Sequence, residues 1–415
     1  MTSAVYDVVV IGAGAAGLMA GIWAGRTSAK GRHLILDGAR TLGAKILVAG
    51  GGRCNVTHDT VSADAYAGAS PNAIRKVLTR FDVPQTVAFF RQLGVLLKRE
   101  STGKLFPTTN SARTVLNALL SAVREAGVTI EHPQRVEQLE KRGDLFTLSG
   151  QSGSFQARRV ILATGGKALP KSGSDGQGYA LASGLGHTLT PHIFPALVPL
   201  ILAADHPLRT LSGLSAPAVL DLWSGTGKHL IRFTDALLCT HFGLSGPAAL
   251  DMSRYYTAAR REDSGVRLTV NWLPERDSVA FEGDIVALGK VSLGRYLSDH
   301  LPERLARLLC QIAAVDPSQR AETLLREQRR ALVAAVTRLP LPVTGDRGFT
   351  YAEVTAGGVP LTEIRLETME SRLCSGVYLC GEICDVDGRI GGYNFQWAWA
   401  SGYTAGVAAG RSVSG

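Results

Sequence analysis

Residues 5–11, VYDVVVI, form a β-branched apolar run, the pattern of a strand buried in a parallel sheet. Glycines follow at once in GAGAAG, 12–17, and LMAGIWAGR then reads as a helix. RHLILDGA gives a second strand that ends at Asp37. The spacing predicts helix over 71–94 with a break at Pro84. Val115, Leu116, Leu119, Leu120 and Val123 mark the apolar face of an amphipathic helix within 108–127. VTIEHPQRVEQLEKRGDLFTLSG alternates and turns, which predicts a small antiparallel meander. FQARRVILATGG, 155–166, is another apolar strand, running into Thr164, Gly165 and Gly166.

From about 190 the pattern changes. Prolines at 191, 195, 199, 207 and 217 interrupt short apolar runs, and LVPLIL, APAVLDLW and KHLIRFT read as short antiparallel strands of a barrel. Residues 275–338 are rich in Leu, Ala, Arg and Glu with helical periodicity. After LPLPVTG the chain returns to strands and glycine turns. The organisation predicted is α/β, with a discontinuous cofactor domain over 1–190 and 345–415. A β-barrel-like insert covers 191–274 and 339–344, and a helical insert covers 275–338. A chain of 415 residues has room for this, at roughly 100–200 residues per domain.

The glycine pattern adds chemistry to the first strand. In Gly12-x-Gly14-x-x-Gly17, the first glycine allows a tight turn and the second lets backbone approach a pyrophosphate. The third packs the helix on the strand, and the helix N-terminus offers unpaired N–H groups to the phosphates. Asp37, twenty residues after Gly17, stands where a carboxylate meets the adenosine ribose. Strand, turn, helix and acid at this spacing point to dinucleotide binding. Near the other end, GVYLCGE is a strand reaching Gly381 and Glu382, and QWAWASGYTAGVAAG is a helix rich in small residues. DVDGRIGGYN lies between them, at the helix N-terminus, where a dipole would stabilise an anionic reduced flavin. Glu382 falls near the ribityl or phosphate region of such a cofactor. DVDG alone lacks the other ligands of a calcium loop.

Composition narrows the classes. Hydrophobic residues at 45% and charged residues at 19% exclude a disordered chain. The 47 glycines cluster rather than repeat, suggesting several close approaches of backbone to one large ligand. The net charge of +9 permits contact with nucleic acid without specifying it. Six cysteines without CxxC fit a reducing cytoplasm, and no Cys/His spacing for a metal is present. A strand that begins by residue 5 leaves no room for a signal peptide, and no uncharged apolar run of about 18 residues predicts a membrane helix.

VAGGGRCNVTH, 48–58, has three consecutive glycines, which ordinary helix or strand interiors do not tolerate. A dithiol flavoenzyme needs a second cysteine after Cys54, but the fifth position on is Asp59. Cys54 is thus a packed bystander or a flavin contact, not half of a redox pair. Arg53 and Asn55 fix the loop or the cofactor. Asp175-Gly176 reads either as a flavoprotein turn or as helix capping by Ser174 or Asp175. His187, His192 and His241 are candidate proton donors or structural histidines, and Tyr393 is the better candidate for substrate contact. No catalytic acid or base is assigned.

Together VVVIGAGAAGLMAG, AKILVAGGGRCNVTH, KLFPTTNSA, CTHFGLSGPAAL, EVTAGGVPL and GVYLCGEICDVDGRIGGYNFQWAWASG resemble a bacterial family. These are NAD(P)/FAD-dependent oxidoreductases of the BaiN-like or aminoacetone-oxidase type. The resemblance implies a glutathione-reductase-like Rossmann FAD domain with inserted β-barrel and helical domains. It implies FAD held at Gly12, Gly14, Ala15, Ala16, Asp37 and Lys45, and by Gly51, Gly52, Arg53, Cys54 and Asn55. Val136, Thr164 with Gly165, Glu382, and the turn Gly391, Gly392, Tyr393 and Asn394 complete the set. Many flavoproteins of this kind carry Glu where this chain has Asp37. No second nucleotide motif is visible, so NAD(P)H is expected only as a transient electron donor. Three functions follow: oxidation or reduction of a small organic substrate, action on tRNA, or flavin binding without turnover. No membrane partner is expected.

Overall fold

In a computed structural model the described residues are 5–151 and 153–414, and the chain divides into two compact units. The first comprises residues 1–195 and 353–415, and the second residues 196–352. The second unit takes in residues 275–338 and most of the expected barrel-like insert, but 191–195 lie in the first unit and 345–352 in the second.

The first unit is built on a parallel sheet. Val5–Ile11 pairs with His33–Leu36 on one side and with Gly153–Leu162 on the other, with Val9 opposite both Leu34 and Val160. Val128–Glu131 extends one side and Val377–Leu379 the other. Val8, Val9, Leu34, Ile35, Val160 and Ile161 are fully buried, which is why these strands read as unbroken apolar runs. The expected meander departs at its start. Val128–Glu131 joins the parallel sheet, and only Gln138–Arg142, Leu145–Gly150 and Gly153–Leu162 run antiparallel in sequence. Tertiary pairing overrode the local alternation. Pro84 also opens a helix rather than breaking one. Asp82 and Gln85 form a reciprocal capping box for Val83–Gln92, and Pro84 sits in the first turn, where its missing N–H costs nothing.

The helix after the glycine turn, Ala15–Thr27, lies against the C-terminal helix, Tyr393–Arg411. A side chain begun at Gly402, Gly406 or Gly410 would meet the carbonyl oxygens of Ala16, Ala20 and Ala24 at 2.5, 2.3 and 2.9 Å. One glycine per turn lets the two backbones touch. Trp397 and Trp399 on the same helix are buried. Their indole N–H groups donate to the carbonyls of Gly381 and Val56 at 3.0 and 2.8 Å. The C-terminal helix thus ties together loops from both ends of the chain.

The second unit holds a seven-stranded antiparallel sheet. Leu339–Leu341 and Val343–Asp346 stand at opposite ends of its strand order, yet only Pro342 separates them. The sheet therefore curls back until its two end strands come close. Gly246–Glu262 packs on it, and Ser278–Ala287, Leu293–His300, Glu303–Ile312 and Arg326–Thr337 form the helical part. No helix among the described residues is long and apolar enough to cross a membrane.

Candidate functional site

The glycine turn is built around Gly12, whose φ of +105° only glycine adopts freely. A side chain there would also meet the Ala163 carbonyl at 2.4 Å, and one at Gly17 would meet the Gly12 carbonyl at 1.8 Å. Gly14 differs: no described atom lies within 4 Å of where its side chain would start. The helix beginning at Ala15 has no side-chain cap and no acid in its first turn. Its backbone donors are therefore presented bare to open space, as an anion site requires. Asp37 braces this turn. Its two carboxylate oxygens accept from the N–H groups of Ala13 and Ala39 at 2.6 and 2.7 Å. A carboxylate accepts about four hydrogen bonds, so capacity for ribose hydroxyls remains. Val136 is buried close by in sequence to Gln134, whose N–H donates to the Asp37 carbonyl at 2.7 Å. Thr164, past the strand that borders Gly12, has a buried hydroxyl without a partner.

The 44–58 segment starts as helix and comes apart where sequence demands. Ala49 turns to ψ 142°, and Gly50, Gly51 and Gly52 take φ of +57°, +69° and +83°. Open space again faces Gly51. Arg53 fixes the loop, with its guanidinium 4.0 Å from the Phe106 ring centre and 2.6 Å from Glu100. Cys54 follows with φ +60°, its thiol buried and its pKa pushed up to about 12 by burial. A thiol so held is not a thiolate at neutral pH. Asn55 is buried with its side-chain oxygen unpartnered. The unpaired Asn55 and Thr164 oxygens and the open backbone at Gly14 and Gly51 fit a polar cofactor lying along these loops.

Lys45 and Glu382 connect the two ends of the chain through a 2.7 Å ion pair. The second Glu382 oxygen accepts from the Thr355 N–H at 3.0 Å, and the Thr355 hydroxyl accepts from the N–H groups of Lys167 and Ala168. Gly381 sits against Ala16, so the acid comes close to the glycine turn. At the C-terminal turn, Gly391 and Gly392 take φ of +123° and +98°, and Gly392 lies flush on the backbone of Thr57. The helix that starts at Tyr393 also has no side-chain cap and no acid in its first turn. Asn394 holds the turn itself, accepting from the Gly388 N–H at 2.8 Å and donating to the Gly388 carbonyl at 2.9 Å.

Tyr393 stacks on His58 at 5.2 Å between ring centres, and the Tyr66 hydroxyl donates to its carbonyl at 2.8 Å. Burial first, and then Tyr393, push the Tyr66 hydroxyl well above its ordinary pKa. The His58 ring is held on both sides. Nδ1 accepts from the Thr60 N–H at 3.2 Å and lies 2.9 Å from Asp59, while Nε2 is 2.9 Å from the Thr102 carbonyl. Arg99 bonds Asp59 and holds its carboxyl below the usual range. His58, Tyr66 and Thr355 are the site residues that sequence reasoning passed over. His58 and Thr355 lay in quoted motifs and Tyr66 in none, and nothing in the spacing said that 58 and 393 would stack.

The remaining candidates are occupied elsewhere. Asp175 accepts from the Gln177 N–H at 3.1 Å and pairs with Arg135 at 2.6 Å, while Gly176 is the N-cap of the helix Gln177–Gly184, which has no side-chain cap from Ser174 or Asp175. His187 is buried against Glu363 at 2.8 Å. His192 is exposed, and His241 lies in the second unit, where its carbonyl takes the Arg209 guanidinium. Among the described residues no group of three His, Cys, Asp or Glu side chains could hold a metal ion.

A Rossmann turn open to an anion, a second bare helix terminus and loops that leave polar groups for a cofactor define a FAD-dependent oxidoreductase. The chain belongs to the family of the HI0933-like protein Rossmann domain, which it matches over residues 6–408. It is 36% identical over 404 residues to the 3-dehydro-bile acid delta(4,6)-reductase of Clostridium scindens, covering 96% of this chain and 98% of that one. It is 34% identical over 401 residues to the ribosomal RNA dihydrouridine synthase of Escherichia coli, covering 96% of each. Among solved structures, 3-ketosteroid delta1-dehydrogenase from Sterolibacterium denitrificans shares the fold. The TM-score is 0.51 at 13% identity, over 98% of this chain and 100% of that one.

Proposed function

We propose that the protein reduces a carbon–carbon double bond conjugated to a carbonyl, with electrons that NADH or NADPH delivers to bound FAD. One observation carries this reading. The two relatives above are each matched over 96% of this chain, and each bears the name of a double-bond reduction. They differ in what carries the bond, a bile acid in one and an RNA base in the other.

Gly12, Gly14, Ala15, Ala16, Asp37 and Val136 would hold the ADP half of FAD. Lys45, the Gly51–Asn55 loop, Thr164, Gly165, Glu382 and the Gly391–Asn394 turn would hold the rest. When bound, FAD supplies the hydride chemistry. The residues of the chain set its surroundings. The bare first turn of the Tyr393 helix favours negative charge at its end, by about 0.3–1 kcal/mol or more where partly buried. Glu382 is held by Lys45 at 2.7 Å, and the buried Cys54 contributes no competing thiolate. His58, with both ring nitrogens engaged, positions Tyr393, and Tyr393 takes the role of substrate contact.

The test is anaerobic titration of the yellow holoenzyme with NADH and NADPH, followed by an α,β-unsaturated ketone and then by uridine. Flavin bleaching and its reversal by one of the two acceptors are expected. Protein that stays colourless with added FAD, or reduced flavin that only oxygen restores, would overturn the reading.

A further inference from the structure

The excess positive charge of this chain is concentrated. Residues 71–113 carry eight Lys or Arg against two acids, Asp82 and Glu100, and so contribute most of the +9. Arg75, Lys76 and Arg91 project from the helices Pro71–Leu78 and Val83–Gln92, Arg80 lies in the turn between them, and all four are exposed. Lys98, Arg99 and Lys104 lie on the hairpin Leu97–Arg99 and Lys104–Pro107, and Arg113 begins the next helix. Among the described residues, Lys76, Arg80, Arg91, Lys98 and Arg113 have no carboxylate within 4.0 Å, and only Arg99 and Asp59 form an ion pair in this lobe apart from Arg53 with Glu100. Unpaired cations at this density repel one another unless an anion lies over them.

The lobe also reaches the candidate site. Its hairpin pairs Lys104 with His58, and both side chains lie against Gly391 in the turn before Tyr393. A polyanion seated on these helices would therefore have one end at the reacting centre. The inserted unit offers a contrast. Its dense basic run, 326–330, alternates with Glu327, and Arg329 pairs with Glu282 at 3.0 Å.

We propose that the 71–113 lobe is a docking surface for the phosphate backbone of a folded RNA. Phosphates along a folded strand supply the spaced charges that a single small anion lacks. The proposal goes beyond the reduction chemistry and does not depend on which bond is reduced.

The test is fluorescence anisotropy of FAD-loaded protein with a fluorescein-labelled transcribed ribosomal RNA hairpin, across a salt series. K76Q/R80Q/R91Q should weaken binding at least tenfold and lower the slope of log affinity on log salt by about two to three. R326Q/R330Q/R338Q removes the same charge from the inserted unit and should leave both unchanged. Equal losses in the two triple variants, or no loss in the first, would overturn the proposal. So would binding to phosphatidylglycerol vesicles without binding to the RNA. Reoxidation of the reduced flavin by a small unsaturated ketone reports separately on the proposed reaction.

Discussion

Two regions of the molecule handle charge differently. In the inserted unit two carboxylates gather their partners around them. Asp221 is nearly buried and accepts from Arg232 at 2.7 and 3.1 Å and from His229 at 2.7 Å. Asp284 takes Arg276 and the Tyr296 hydroxyl. In the cofactor unit the cations of 71–113 stand mostly unmatched, while the helices that start at Ala15 and Tyr393 carry no side-chain cap at their N-cap glycines. Paired carboxylates are complete in themselves. Unmatched cations and uncapped helix ends are what a ligand would complete.

The strongest break in this comparison is Gly17→Val. Its new side chain would collide with the Gly12 carbonyl, so the glycine turn cannot close. No yellow, folded protein is expected by absorbance and circular dichroism, and a normal flavin spectrum would contradict the geometry. Asp221→Ala should act on the other unit alone. Losing three charge-assisted hydrogen bonds, partly solvent-screened, costs about 1–3 kcal/mol. A melting temperature lowered by several degrees with the flavin spectrum unchanged is expected, and a bleached spectrum would show the units to be interdependent.

Lys45→Ala removes the partner of the half-buried Glu382. About 1–2 kcal/mol, or roughly tenfold weaker FAD binding, is expected by titration of apoprotein. An unchanged affinity would remove Lys45 from the cofactor set. Glu363 gives a smaller effect that appears only in acid. Burial alone would raise its pKa, but hydrogen bonds from Thr188 and His187 outweigh it and hold the carboxyl below its ordinary 4.5. Its stabilisation is thus full above pH 4.5 and fades as pH falls through the lowered folded value. Glu363→Gln should flatten that part of the stability–pH curve, and a parallel curve would discount the contact. Least affected is native thiol chemistry. Cys374 is the one cysteine of six that is not buried. A thiol reagent should modify about one cysteine in folded protein and all of them in denaturant, whereas rapid modification of Cys54 would contradict its burial.

Much of this was legible because the cofactor unit obeys local rules. Unbroken apolar strands announced the parallel sheet, and Gly12, Gly14, Gly17 and Asp37 announced the turn between them. The triple glycine at 50–52 signalled backbone unlike a helix or strand interior, and in the structure all three take positive φ. Less was legible where contacts span the chain. Asp37 braces the turn by accepting from Ala13 and Ala39, a role its spacing did not disclose. The stack of Tyr393 on His58 joins residues 335 positions apart, and no periodicity encodes such a pairing. Val128–Glu131 alternates like a meander strand but is drawn into the parallel sheet by His33–Leu36.

The three glycines that lay the last helix on the first also bear on how the chain comes to be folded. The partner of the Ala15–Thr27 helix is Tyr393–Arg411, nearly the whole length of the chain away. While the protein is being synthesised, that helix has nothing to cover its open face until residues 393–411 emerge. Contacts of such long sequence separation form late and slowly, and the exposed surface they leave is prone to aggregation. The inserted unit, contiguous in sequence, can complete itself first. Removing the last turns of the Tyr393–Arg411 helix, with Gly406 and Gly410, should therefore sharply lower the yield of folded protein.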